Sequence, residues 1–141
     1  MPNLTRWYIR TSFLYLAAAL LVGLALAWRA ATPLPGFFAR LQPVYVHLFL
    51  VGWVTQLIFG TVYWLFPRPE EERFHERMGW ATYALINIGL LLRAVSEPLG
   101  APPGGFWGWV LVISAVLQWL GGLGFVITTW PRTRLHKKRR R

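Results

Sequence analysis

The sequence contains no cysteine and no aspartate. Without cysteine there can be no disulfide, no thiolate nucleophile, no iron–sulfur cluster and no cysteine-ligated zinc. The five acids are all glutamate (Glu70, Glu71, Glu72, Glu76 and Glu97), and none lies inside a long apolar run. Paired-carboxylate catalysis therefore has almost nothing to work with. Charge of either sign is scarce, at 14% of residues, against about 25% in soluble domains. What charge there is runs basic, to a net +10. That balance raises nucleic acid as a partner. The chain is 55% hydrophobic with nine Trp and nine Phe, and no recognisable nucleic-acid-binding fold accompanies the charge, so no nucleic acid is expected. The composition is that of a membrane protein, and 141 residues make roughly one domain.

A bilayer-spanning helix needs about 20 mostly apolar residues. Four segments qualify, with helices expected near residues 8–29, 42–66, 77–96 and 105–130. The third is the weakest, because it extends past Leu92 only if Arg93 snorkels to the interface. Pro43 suits the first turn of the second helix and Pro67 its end. The Gly and Pro cluster of residues 98–105 predicts a loop, with the fourth helix starting near Phe106. The first segment has the ingredients of an export signal, with Arg6, Arg10, an apolar core and Ala25-Leu26-Ala27, but is taken as a retained span. The expected fold is an all-α membrane protein. It comprises a four-helix transmembrane bundle over residues 1–131 and a basic cytoplasmic tail over residues 132–141.

Orientation follows from the positive charges in the short loops. With the N-terminus inside, the inner side holds Arg6, Arg10, Arg68, Arg73, Arg77, Arg132, Arg134, Lys137, Lys138, Arg139, Arg140 and Arg141. The outer side holds only Arg29, Arg40 and Arg93. Both termini are thus expected inside, in the cytoplasmic (inner) membrane of a cell. The tail's charge serves topology and contact with anionic lipid. Trp7, Trp28, Trp64, Trp80, Trp107, Trp109 and Trp130 fall near predicted helix ends, where an indole is most stable. Only Trp53 and Trp119 lie at mid-helix depth.

Few side chains inside the spans can do chemistry. Gln56, Asn87 and Gln118 are expected to bond between helices. The Gly121-Gly122-x-Gly124 run suggests close packing rather than a phosphate loop. His47 is the one histidine within a span. It lies four residues after Pro43, about 6 Å into the helix, on the outer side. An ionisable residue at such a place is a functional candidate. The alternative is a histidine hydrogen-bonded across helices to a hydroxyl.

Tyr45-Val46-His47-Leu48-Phe49-Leu50-Val51-Gly52-Trp53 and Phe59-Gly60-Thr61-Val62-Tyr63-Trp64-Leu65-Phe66-Pro67-Arg68 together resemble one helix of a known family. That helix is the second transmembrane helix of subunit I of the heme–copper oxidases and nitric oxide reductases, especially of the cbb3-type branch and small related membrane proteins. The resemblance covers Gln42–Pro67, under a fifth of the chain. It implies that His47 is the axial metal ligand of a low-spin heme b lying toward the outer face. It further implies that Gly52 and Gly60 are small positions for close approach of a helix or of the macrocycle. Arg40 and Arg93, at the membrane level of His47, are the expected partners of the heme propionates, with Arg29 third. Tyr45 departs from the His-x-His found in many relatives. The further histidines needed for a second axial ligand, a catalytic heme and copper are missing from this sequence, so by itself it does not make an oxygen or nitric oxide reductase of that type.

His75 falls in the inner loop and His136 in the tail, roughly a 30 Å membrane thickness from His47. A second axial histidine would have to come from another copy or another subunit. Two readings therefore stand. One is a heme b-binding membrane protein or subunit of respiratory electron transfer, acting as a homo-oligomer or with respiratory complex subunits. The other is a cofactor-free accessory subunit of a terminal oxidase or nitric oxide reductase. A small transporter is disfavoured, because the spans hold no carboxylate.

Overall fold

A computed structural model describes residues 2–33, 35–66, 72–100, 102 and 104–133. Among these the chain is helical, and four helices are long and apolar enough to cross a membrane. Helix α1 spans Asn3–Trp28. A 3-10 turn, Gly36–Arg40, leads into the second span, which has three sections. These are α2 (Leu41–His47), a π-helical segment (Leu48–Thr55) and α3 (Gln56–Leu65). Helix α4 spans Glu72–Ser96 and α5 spans Phe106–Thr129, followed by a 3-10 turn, Trp130–Thr133. Phe106 opens the last helix and Pro43 sits in the first turn of α2, both as expected. Two helices start earlier than their apolar runs. Asn3 and Glu72 lie about five residues ahead of the expected starts, because a helix that protrudes from the bilayer can carry charged turns in water. The boundary at residue 131 falls inside the last 3-10 turn, and the tail from Arg134, like Pro67 and Arg68, lies outside the described residues.

Pairing across the bundle sets the topology. The Tyr8 hydroxyl donates to the Gly79 carbonyl at 3.4 Å, and Tyr63 shares a 2.9 Å hydrogen bond with Thr128. The start of α1, the end of α3, the start of α4 and the end of α5 therefore share one end of the molecule. At the opposite end, Val44 and Leu48 pack with Ala19, Leu90 and Ala94. The chain thus runs up and down through the bundle. Helix α1 lies mainly against the second span and α4 against α5.

The second span owes its shape to a four-residue rhythm. Val44, Leu48, Gly52, Gln56 and Gly60 are all buried. In an α-helix of 3.6 residues per turn, each four-residue step overshoots a full turn by about 40°. Four such steps would carry Gly60 about 160° away from the face of Val44. The wider π segment removes part of that drift and keeps the row on the inner face, as a change of repeat does in a coiled coil. The glycines of the row let α1 approach. A Cβ at Gly52 would stand 2.7 Å from Tyr15 Cβ, and one at Gly60 2.9 Å from Tyr8 Cβ.

Helices α4 and α5 use the same device. A Cβ at Gly121 would lie 2.5 Å from Ile86, one at Gly124 2.6 Å from Thr82 Oγ1, and one at Gly89 2.9 Å from Ser114 O. Ser114 donates to the Gly89 carbonyl at 2.8 Å, and Gln118 Nε2 donates to Ser114 Oγ at 3.1 Å. Gln118, expected to bond between helices, makes its hydrogen bond within α5 instead, and only its acceptor Ser114 crosses to α4. Gly122 has nothing within 4 Å of the Cβ position and takes no part. At mid-bundle, Asn87 Oδ1 accepts from the Tyr15 hydroxyl at 2.9 Å and from Gln56 Nε2 at 3.2 Å. Asn87 Nδ2 donates to Gln56 Oε1 at 3.3 Å and to the Tyr83 carbonyl at 2.8 Å. Gln56 and Asn87 are interhelical ties, as expected for amides with no water to turn to.

Candidate functional site

His47 closes α2 one residue before the π segment. It is half-buried, at the edge of the second span's exposed face, beside exposed Pro43, Val46 and Leu50. Its Nδ1 lies 2.9 Å from the Pro43 carbonyl oxygen, and this contact is at the surface of the bundle. A carbonyl can only accept, so Nδ1 carries the hydrogen and Nε2 of the neutral ring carries the lone pair. Among the described residues Nε2 makes no hydrogen bond. A ring held by one nitrogen and bare at the other is the usual preparation of an imidazole for a metal. The bond stays within the second span and does not cross to a hydroxyl of a neighbouring helix.

The guanidinium groups expected near it are not equivalent. Leu90 and Ala94 pack with Val44 and Leu48, which brings Arg93 to the level of His47. Arg93 Nε is bonded to Glu97 Oε1 at 2.7 Å, with the two side chains 21% and 7% exposed. The other Glu97 oxygen is buried without a partner. This pair went unnoticed in the sequence because Glu97 lies outside the apolar run, although its spacing of four residues from Arg93 is the signal. Arg40 is exposed and lies against Gly100, where an added Cβ would stand 2.6 Å from its Nη1. Gly100 has φ +71°, a backbone region that glycine enters without strain. Arg29 caps α1 and is exposed.

Gly52 and Gly60, expected at a close approach of helix or macrocycle, meet Tyr15, Leu90, Tyr8 and Ile9. The room at both glycines is filled by this chain's own side chains. Aromatic side chains also pack together between α1, α3 and α5. Phe59 and Phe125 stack with centroids 3.6 Å apart, and Tyr8 and Tyr63 pack around them. A groove of about 250 Å³ between α4 and α5 is lined by Ile88, Leu91, Leu92, Val95, Trp107 and Val110, with no ligating side chain. Sites for small organic ligands run to about 300–1,000 Å³. Among the described residues no three His, Cys, Asp or Glu side chains gather as a metal site. His75, near the start of α4, is at the end opposite His47, and His136 lies outside the described residues.

The family described as cytochrome c and quinol oxidase polypeptide I matches residues 3–140. The chain belongs to that family. The likeness therefore extends over nearly the whole chain rather than over the second span alone. No curated protein and no solved structure matches this member. Membership makes the chain a multi-pass membrane relative of heme–copper oxidase subunit I. The histidine in its second span has Nδ1 against the Pro43 carbonyl of the same helix.

Proposed function

We propose that this family member is a heme b-binding membrane protein or subunit of respiratory electron transfer, with His47 as axial ligand. The observation that carries the reading is the Nδ1–H bond from His47 to the Pro43 carbonyl, which leaves Nε2 free at the bundle surface. Imidazole in that state is ready to bind iron without rearrangement. Arg40 is the better-placed partner for a propionate, because Arg93 already holds Glu97. Bound heme supplies one-electron transfer. The chain supplies the ligand, its fixed ring orientation and an apolar flank. The protein sits in the inner membrane with both termini in the cytoplasm, as the distribution of Arg and Lys favours. Its partners are the lipid bilayer and either further copies of itself or respiratory complex subunits.

The test is purification from heme-replete cells, followed by reduced-minus-oxidised absorption spectra. A reducible Soret band in wild type that is lost in His47→Ala, but kept in His75→Ala, supports the reading. A colourless wild-type protein overturns it. A cofactor-free accessory subunit is then the surviving reading. It is supported by a bundle already closed by its own contacts and by Arg93 already paired with Glu97.

A further inference from the structure

The four spans form two helix pairs, α1 with the second span and α4 with α5. Polar contacts join the pairs unevenly along their length. At the end that holds the start of α1, the Tyr8 hydroxyl reaches the Gly79 carbonyl and Tyr63 bonds Thr128. Further along, Thr11 and Tyr83 share a 2.6 Å hydrogen bond, and Asn87 takes Tyr15 and Gln56. At the end nearer His47, no hydrogen bond or ion pair among the described residues joins the pairs. A polar group without a partner lies there on each pair instead. Glu97, at the end of α4, is 7% exposed; Arg93 Nε takes its Oε1, and its Oε2 is buried with no partner. Arg40, at the start of the second span, is exposed and has no partner among the described residues. Its Nη1 lies against Gly100. The Gly100 N–H donates to the Glu97 carbonyl at 3.1 Å, so the guanidinium rests on the same turn that carries the carboxylate.

We propose that Arg40 and Glu97 are the two halves of a latch. The guanidinium turns from Gly100 onto Glu97 Oε2 and ties the second span to the α4–α5 pair. One carboxylate then bridges Arg93 and Arg40. The inference stands apart from the heme reading, since both groups belong to this chain. A buried carboxylate oxygen without a donor costs free energy that a charge-assisted hydrogen bond offsets. A guanidinium can only donate, and the long arginine side chain swings by rotamer changes alone. Gly100 is the seat of the open position. Its φ of +71° strains any residue with a Cβ, and a Cβ there would stand 2.6 Å from Nη1. With the latch open, the packing of Val44 and Leu48 on Leu90 and Ala94 is what holds the pairs together at this end. Closing it limits how far the pairs can part beside His47, while the ties at Asn87 and Tyr63 hold the rest of the bundle.

The sequence has no cysteine, so introduced cysteines can be spin-labelled without background. One label pair is Phe37→Cys with Leu99→Cys at this end, and the other is Leu65→Cys with Ile127→Cys at the opposite end, all four sites exposed. Double electron–electron resonance is read on the full chain in nanodiscs. A single narrow distance between residues 37 and 99 is expected. Arg40→Ala should shift it to longer and broader distances. Glu97→Gln should do the same, because it keeps an acceptor for Arg93 but replaces the free oxygen by a donor. Combining the two should add nothing further. The distance between residues 65 and 127 should stay unchanged in every variant. A distance between residues 37 and 99 that is indifferent to Arg40→Ala or to Glu97→Gln overturns the latch, and so does an additive double variant. Equal broadening at both label pairs also overturns it, because it reports a loosened bundle rather than a lost tie.

Discussion

At the scale of single residues the molecule turns on which atoms are already occupied. His47 Nδ1 is held by Pro43, and among the described residues Nε2 has no partner. His47→Ala should abolish heme retention while leaving membrane insertion intact, because the span loses no apolar length. Spectra and membrane fractionation of the same preparation report the two separately. The arginines, equal candidates by sequence, are separated by Glu97. Arg40→Ala should weaken heme binding by about 1.5–3 kcal/mol, on the order of 10–100-fold in Kd. Arg93→Ala should cost less, since its guanidinium is partly committed to Glu97. Heme titration of the apoprotein gives the order, and an Arg93 effect larger than that of Arg40 would contradict it. The position of His47 was legible from its isolation in an apolar span. Its direction was not, because direction depends on how the second span winds.

At the scale of helices, close packing is set by small residues whose partners only the fold reveals. Gly121 is filled by Ile86, whereas its neighbour Gly122 meets nothing. Gly121→Leu should therefore destabilise the bundle by about 1–3 kcal/mol through overpacking, and Gly122→Leu by much less. Denaturant titration in detergent micelles compares the two, and equal losses would refute the packing. Asn87→Leu removes both the Tyr15 and the Gln56 contacts. Interhelical bonds of this kind average about 0.6 kcal/mol, with a maximum near 1.7, so a loss of about 1–2 kcal/mol is expected in the same assay. The amides were visible in the sequence as the few groups that cannot go unpaired in hydrocarbon. The π segment was not, because its cause is a spacing of four between residues as unlike as Val44, Gly52 and Gln56.

At the scale of the whole molecule, four spans return the chain to the end at which it started. The proposed orientation, argued from the bias of Arg and Lys, puts that end in the cytoplasm. Tags at both termini should resist labelling and protease in sealed right-side-out cells, and become accessible on permeabilisation. Labelling of either terminus from outside would sink the orientation. The many exposed aliphatic side chains, Leu14, Leu20, Leu21, Leu24 and Leu91 among them, are a surface suited to lipid, not to water.

Number and order of the spans were determined by the sequence alone, because a bilayer rewards an unbroken apolar run whatever its neighbours do. The residue to look at, His47, was determined in the same way, as an ionisable group with no company in its span. Tertiary structure decided everything that depends on which face meets which. It placed Gly52 and Gly60 against the tyrosines of α1 and paired Arg93 with Glu97. It also bonded His47 Nδ1 to the Pro43 carbonyl at the surface of the bundle. The reason is geometric. Composition records what a helix can be dissolved in, whereas the direction of a side chain depends on the winding of the helix and on the shape of the helices packed beside it.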